Sequence, residues 1–197
     1  RSLSIADAKG EILASSNPAN LGHRVLTEQY QPPAPPEGSE HLHIGPLMAG
    51  RDFVDATTPD APEVIPADAI SFFPAVRHLT HGQNKLQALA ALNPDYFLNQ
   101  INRHINPQLT IVEIISYDGR VLLSSSEHLP AGLRHFRVES MQEMQGNEIG
   151  TLQDDVENGR HVMTAYRASR SYPLFVVVHV DHEAALAKWR EETRFTL

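Results

Sequence analysis

A short pattern occurs twice in this chain and constrains its fold more than any other feature. The first copy is Ile5-Ala-Asp-Ala-Lys-Gly-Glu-Ile-Leu-Ala-Ser-Ser16, and the second is Ile115-Ser-Tyr-Asp-Gly-Arg-Val-Leu-Leu-Ser-Ser125. Gly10 matches Gly119, Ile12 matches Val121, Leu13 matches Leu122, and Ser15-Ser16 match Ser124-Ser125. Each copy reads as strand, tight turn, strand. Asp caps its own backbone in such turns, and Gly takes positive φ without a Cβ clash. A repeat at this spacing points to one domain plan used twice.

The segments after each copy support a duplicated antiparallel sheet. In the first half, Ser2 to Ala6 alternates, with Leu3 and Ile5 on one face. His41-Leu-His-Ile-Gly45 reads as a strand with the histidines opposite Leu42 and Ile44. Ile70 to Leu79 and Lys85 to Leu92 read as two more strands. Asn93 is a good helix cap, Pro94 fits the first helical position, and Asp95 suits the positive helix end. In the second half, Leu109 to Ser116 and Arg120 to Ser125 form the hairpin, and Glu127 to Gly150 reads as loop with a short helix. Arg160 to Ala168 and Pro173 to Val180 are strands. Phe175-Val-Val-Val178 is β-branched enough to be central. Asp181 then caps a last helix through Ala184, Ala185, Leu186 and Trp189. The expectation is an α+β chain of two units, 1–106 and 107–180, each an antiparallel sheet flanked by helices. A C-terminal helix, 181–197, follows them.

Two stretches stand apart. Gln31 to Ser39 holds Pro32, Pro33, Pro35 and Pro36, which exclude helix and central strand. Asp52 to Asp68 is long, polar and without clear period, and loops of that length are usually functional or mobile.

The net charge of −8 argues against a nucleic-acid partner, which needs a basic footprint. The chain has no cysteine, so disulfides and thiolate metal sites are excluded. No run of 18 apolar residues occurs, so nothing in it reads as a transmembrane helix. No signal peptide precedes the first strand, and the chain reads as part of a longer protein. There is no phosphate loop, no nucleophile elbow and no H-E-x-x-H pair. A hydrolase would need a catalytic constellation that the sequence does not display, so no activity is expected. The pairs His41/His43 and His78/His81 could begin a zinc site, but no acid stands at a matching spacing. No cofactor or metal is expected.

With these motifs in place, the chain resembles the double Cache domain, the tandem PAS-like extracellular sensor of bacterial transmembrane receptors. The resemblance covers nearly the whole chain. The first hairpin with Gly22, Leu42-His-Ile-Gly-Pro46 with Gly50-Arg51, and Leu89 to Phe97 carry it in the first unit. Pro173 to Val178 with Ala185-Leu-Ala-Lys-Trp-Arg190 carries it in the second. The resemblance implies a membrane-distal unit that binds a small ligand and a proximal unit that passes the signal on. It also implies a periplasmic location, anchoring through flanking helices, and homodimerisation in the full-length protein. The long N-terminal helix of the family, often its dimer interface, does not precede Arg1. The Trp189 helix pattern favours a cytoplasmic diguanylate cyclase or phosphodiesterase output, with a histidine kinase or chemoreceptor as the alternative.

The resemblance also names site residues. The family's Asp-Arg-x-Tyr-Phe pattern falls on Thr27-Glu28-Gln29-Tyr30-Gln31, and its later aspartate falls on Asn93. Tyr30 is kept. The arginine that grips a carboxylate becomes Glu28, and the aspartate that takes an ammonium becomes Asn93. Glu28 facing the pocket would repel a carboxylate, so binding of α-amino acids in the usual way is not expected. The expected ligand-binding set is Tyr30, Glu28, His43, Arg51, Phe73, Arg77 and Asn93, with Tyr30 leading. A reading from another class is a soluble adaptor that presents the Pro32–Pro36 or Arg51–Asp68 loop to a protein partner.

Overall fold

The structure is a computed structural model that describes residues 1–27, 42–56, 70–81, 84–126, 134–157, 160–170 and 172–194. The chain divides into two compact units, one built on Arg1–Phe97 and the other on Leu98–Pro130 with Arg134–Leu197.

In the first unit, β1 (Ser2–Asp7) and β2 (Ile12–Ser15) form the hairpin. β3 (Leu42–Ile44), β4 (Met48–Ala49), β5 (Ser71–His81) and β6 (Asn84–Leu92) follow, and then α1 (Pro94–Asn102). The sheet order is β2-β1-β6-β5-β3, with β4 also paired to β5. In the second unit, β7 (Thr110–Ser116) and β8 (Val121–Ser124) form the hairpin. α2 (Val138–Gly146), β9 (Ile149–Glu157), β10 (Arg160–Ala168), β11 (Leu174–Asp181) and α3 (His182–Arg194) complete it. Its order is β8-β7-β11-β10-β9. All pairs in both sheets are antiparallel. The two orders are the same topology, with the hairpin's first strand inserted beside the last strand. The fold is α+β with two tandem PAS-like units.

The turns that the repeat marks are built alike. Gly10 and Gly119 have φ of +84° and +87°, where an L side chain is strained. Asp7 accepts hydrogen bonds from the Lys9 and Glu11 amides at 2.8 and 2.9 Å, which closes the first turn. Both helices that end the units are capped as the sequence indicates. The Asp95 amide donates to Asn93 Oδ1 at 3.2 Å, and the Ala184 amide donates to Asp181 Oδ1 at 2.9 Å. β11 lies in the middle of its sheet, as its valines require.

The structure also contains elements that the sequence reading lacks. β9 is an edge strand carrying Gln153, Asp154 and Asp155, a composition of weak strand propensity that pairing with β10 overrides. β4 is only two residues long, between Pro46 and Gly50. The start of the long polar stretch is anchored by a single 3-10 turn, Phe53–Asp55, whose Phe53 is buried edge-to-face on Phe72 with ring centroids 5.4 Å apart. Burying such a ring contributes about 1.5–3 kcal/mol.

Cross-strand partners share a face, and this fixes the core. On sheet one, Ala6, Phe72, Val76, Leu89 and Ala91 face inward with Ile12, Val25, Met48 and Phe53. Leu3 and Ile5 do share a face, but it is the outer one. Leu3 is 61% exposed, whereas Ser2 and Ser4 are buried. On sheet two, Ile115, Tyr166, Phe175 and Val177 form the inner floor, and Phe136, Met141 and Met144 are buried with them.

Candidate functional site

On the inner face of sheet one, a polar patch interrupts the apolar floor. His43 pairs with Val76, Val76 with Leu89, His78 with Gln87, and Gln87 with Ala6. His43, His78 and Gln87 therefore point to one side, from three adjacent strands. Gln87 is 6% exposed, and its Oε1 has no hydrogen-bond partner among the described residues. A buried amide oxygen left in this state costs about 1–3 kcal/mol, so it marks a place where a donor would be gained.

A separate polar knot gathers at the start of β1. Asp52 is buried and accepts from Ser2 Oγ at 2.6 Å, Asn20 Nδ2 at 2.8 Å, Asn17 Nδ2 at 2.9 Å and the Phe53 amide at 2.8 Å. Asn20, fully buried, also donates to Ser2 Oγ at 3.1 Å and accepts from the Val54 amide at 3.2 Å. Burial acts to raise the Asp52 carboxyl, but the bonds from Ser2, Asn17, Asn20 and Phe53 outweigh it and hold it below the usual carboxylate range. The knot ties Pro18–Asn20 and the Phe53–Asp55 turn onto β1. It explains why β1 buries Ser2, which is both donor and acceptor to these turns, while the buried Ser4 donates to Ser15 across the hairpin.

The sequence-derived residues separate on this frame. Glu28 and Tyr30 lie outside the described residues, as do the Pro32–Pro36 stretch and 57–69. His43 is on the inner face. Phe73 and Arg77 have the opposite parity on β5 and pair with Leu92 and Ala88 of the outer face. One face thus does not hold His43, Phe73 and Arg77 together. Arg51 is exposed, and its amide donates to the Asp55 carboxylate at 3.0 Å. Asn93 caps α1, and its Oδ1 also accepts from the Arg1 guanidinium at 2.8 Å.

The equivalent face of sheet two carries charge. Glu113, fully buried on β7, is the counterpart of Ser4. Each pairs with a hairpin serine (Ser124 or Ser15) and with a central aliphatic (Val177 or Leu89). Glu113 Oε1 is ion-paired with Arg134, and its Oε2 stands 3.5 Å from His179 Nε2. His179 Nδ1 is 2.9 Å from Thr164 Oγ1. Burial pushes the Glu113 carboxyl up, but the contacts with His179, Arg134 and Ser124 outweigh that and hold it below its ordinary range.

Sequence reasoning missed Gln87, Asp52 and this charged set, although a signal existed for two of them. Glu113 and His179 each interrupt an apolar strand run, and a lone polar group at such a position must find a partner. Asp52 and Asn20 carry no such mark, because their partners come from distant turns.

Two grooves, of about 630 and 680 Å³, lie on sheet two and include Ile149, Val176 and Val178 in the first and Met163, Val178 and Val180 in the second. Their exposed lining is mostly apolar. The candidate site is placed instead on the inner face of sheet one, where the buried Gln87 Oε1 has no partner among the described residues.

No family model matches the chain, and no curated protein matches it. Solved structures do. The extracellular domain of rpHK1S-Z16, assigned as a histidine kinase, is 19% identical, with a TM-score of 0.63 over 95% of this chain and 73% of that one. An extracellular ligand-binding receptor from Desulfohalobium retbaense is 11% identical, with a TM-score of 0.51 over 91% of this chain and 30% of that one. The ligand-binding domain of the Pseudomonas aeruginosa amino-acid chemoreceptor PctB, solved with L-Gln, is 10% identical, with a TM-score of 0.51 over 100% of this chain and 76% of that one. The shared feature is the fold, that of the Cache-type extracellular sensor domains of histidine kinases and chemoreceptors.

Proposed function

We propose that this chain is the extracellular sensor domain of a membrane-anchored bacterial signalling protein, with no catalysis of its own. In this reading it takes a small ligand on the inner face of sheet one. The observation that carries the proposal is the juxtaposition of His43, His78 and a buried, unsatisfied Gln87 on an otherwise apolar floor. This occurs in a chain whose fold matches a sensor domain over 95% of its length. Tyr30 and Glu28 belong to the ligand-binding set that the sequence resemblance implies, and both lie outside the described residues. Arg51, Asn93, Phe73 and Arg77 are not on this inner face and are left out of the proposed site. Glu28 and Asn93 disfavour the usual α-amino-acid ligand.

Ligand binding favours one arrangement of the first unit, and the change passes through the second unit and α3 toward the membrane. A ligand shifts such an equilibrium only by its differential affinity for the two states. Among the described residues no helix is long and apolar enough to cross a membrane, so anchoring falls to segments flanking this chain. The Ala185–Trp189 pattern favours a cyclic-di-GMP output over a kinase or a chemoreceptor.

A thermal-shift screen against amines, carboxylates, amino acids, polyols and purines tests the site. A ligand at 100 times its Kd adds about 2.7 kcal/mol, a visible shift. The expected result is a hit that weakens at least tenfold on Gln87→Leu and on Tyr30→Ala. A hit indifferent to both substitutions, or no hit across the panel, overturns the assignment.

A further inference from the structure

We propose that the second unit contains its own input, a proton-operated switch formed by His179, Glu113, Arg134 and Thr164 that acts on the start of α3. The proposal stands independently of any ligand on sheet one.

The geometry provides for two protonation states. His179 is 3% exposed, on the central strand β11, three residues before α3 begins. Among the described residues, the groups gathered around its ring are Thr164 from β10, Glu113 from β7, and Arg134 and Phe136 from the segment before α2. α2 contributes only the buried side chains of Met141 and Met144 to this interior.

Thr164 Oγ1 is both a donor and an acceptor, so it can bond to Nδ1 whether that nitrogen is bare or carries a proton. Glu113 divides its two oxygens, Oε1 to Arg134 and Oε2 toward His179 Nε2. With a neutral imidazole, the Glu113–Arg134 pair is already balanced and the 3.5 Å contact is loose. With an imidazolium, Nε2–H becomes a charged donor to a carboxylate. Such bonds shorten to about 2.7–2.9 Å and are about twice as strong as neutral ones. The site therefore tightens β11 onto β7 as protons are added.

The mechanical link is short. β11 runs directly into α3, and Asp181, the second residue after His179, caps the helix through the Ala184 amide at 2.9 Å. A shift of His179 along the Glu113 direction is transmitted through one covalent stretch to the cap. Histidine is the side chain whose ordinary charge change falls between pH 5 and 8.

The test is NMR of the whole fragment from pH 8 to pH 5, following the His179 imidazole and the Ala184 amide. Both signals are expected to move with one shared midpoint. Glu113→Gln is expected to abolish the shared movement of the two signals, because an imidazolium then has no carboxylate to draw β11 toward β7. Because that variant leaves Arg134 without its carboxylate and can fail to fold, His179→Gln serves as the second arm. It keeps a polar side chain at the site and is expected to abolish the Ala184 response while leaving the sheet intact. Two results overturn the proposal: an imidazole that takes up no proton by pH 5, or one that titrates while the Ala184 amide stays still. An Ala184 response that survives His179→Gln overturns it as well.

Discussion

Gly10 and Gly119 occupy equivalent turns, and replacing each with alanine separates backbone strain from crowding. Their φ angles, +84° and +87°, are nearly the same, so alanine meets the same intrinsic penalty at both, about 1–2 kcal/mol for a Cβ in the left-handed region. The surroundings differ. A Cβ on Gly119 would lie 3.4 Å from Met141 Cγ, the flexible part of a side chain that can yield. A Cβ on Gly10 would lie 2.1 Å from the Val25 carbonyl oxygen, which is backbone and cannot rotate away. The segment around Val25 must therefore move out. It is held by two backbone hydrogen bonds of 2.9 Å, Val25 N–H to Gly10 O and Ile12 N–H to His23 O. Losing both costs about 1–3 kcal/mol on top of the strain. Gly119→Ala should thus cost about 1–2 kcal/mol and Gly10→Ala about 2–5 kcal/mol. Urea titrations followed by unit-resolved hydrogen exchange measure each loss in its own unit. Equal losses at the two sites would refute the packing argument, and a neutral Gly119→Ala would refute the strain argument.

Other outcomes follow from the buried polar groups. Asn20→Ala removes donors to Ser2 and Asp52 and the acceptor for Val54, and should destabilise the first unit by about 2–3 kcal/mol in urea. A loss within about 0.5 kcal/mol would mean that water replaces the asparagine freely. Asp52 and Glu113 both have depressed carboxyl pKa values, so the stability they contribute is present above their unfolded values, about 4. It is lost as pH falls through the lower folded values. Asp52→Asn and Glu113→Gln should accordingly flatten the acid limb of the pH–stability curve below about pH 4, and unchanged acid limbs would contradict both assignments. Gly150→Ala would set a Cβ 2.6 Å from the hydroxyl of the buried Tyr166, whose ring packs on Phe175. The ring must shift, at a cost of about 1–3 kcal/mol and with a changed near-ultraviolet tyrosine signal. An unaltered spectrum would show that the tyrosine tip has room.

Much of the fold was legible because its signals are local. Turn glycines, strand alternation and helix caps depend on residues within a few positions of each other, and they located both hairpins, β5, β6, β10, β11, α1 and α3. β9 escaped because pairing with β10, not its own composition, makes it a strand. The candidate site was less legible. Strand periodicity put His43 opposite Leu42 and Ile44, but it could not say which parity of β5 faces the core, so Phe73 and Arg77 were grouped with a histidine on the other face. Gln87 became visible only when its pairing with His78 and Ala6 was known.

The sequence by itself determined that one strand–turn–strand plan is used twice, because a left-handed turn demands glycine wherever it occurs. Tertiary structure decided what each copy does with its interior. At one equivalent inner position stand Ser4 and Glu113, and nothing local distinguishes a buried serine bonded to Ser15, itself an acceptor of Asn20, from a buried carboxylate held by Arg134 and His179. Those partners come from turns and strands far along the chain. A polar group survives in a core only where the folded backbone brings its complement within hydrogen-bonding distance.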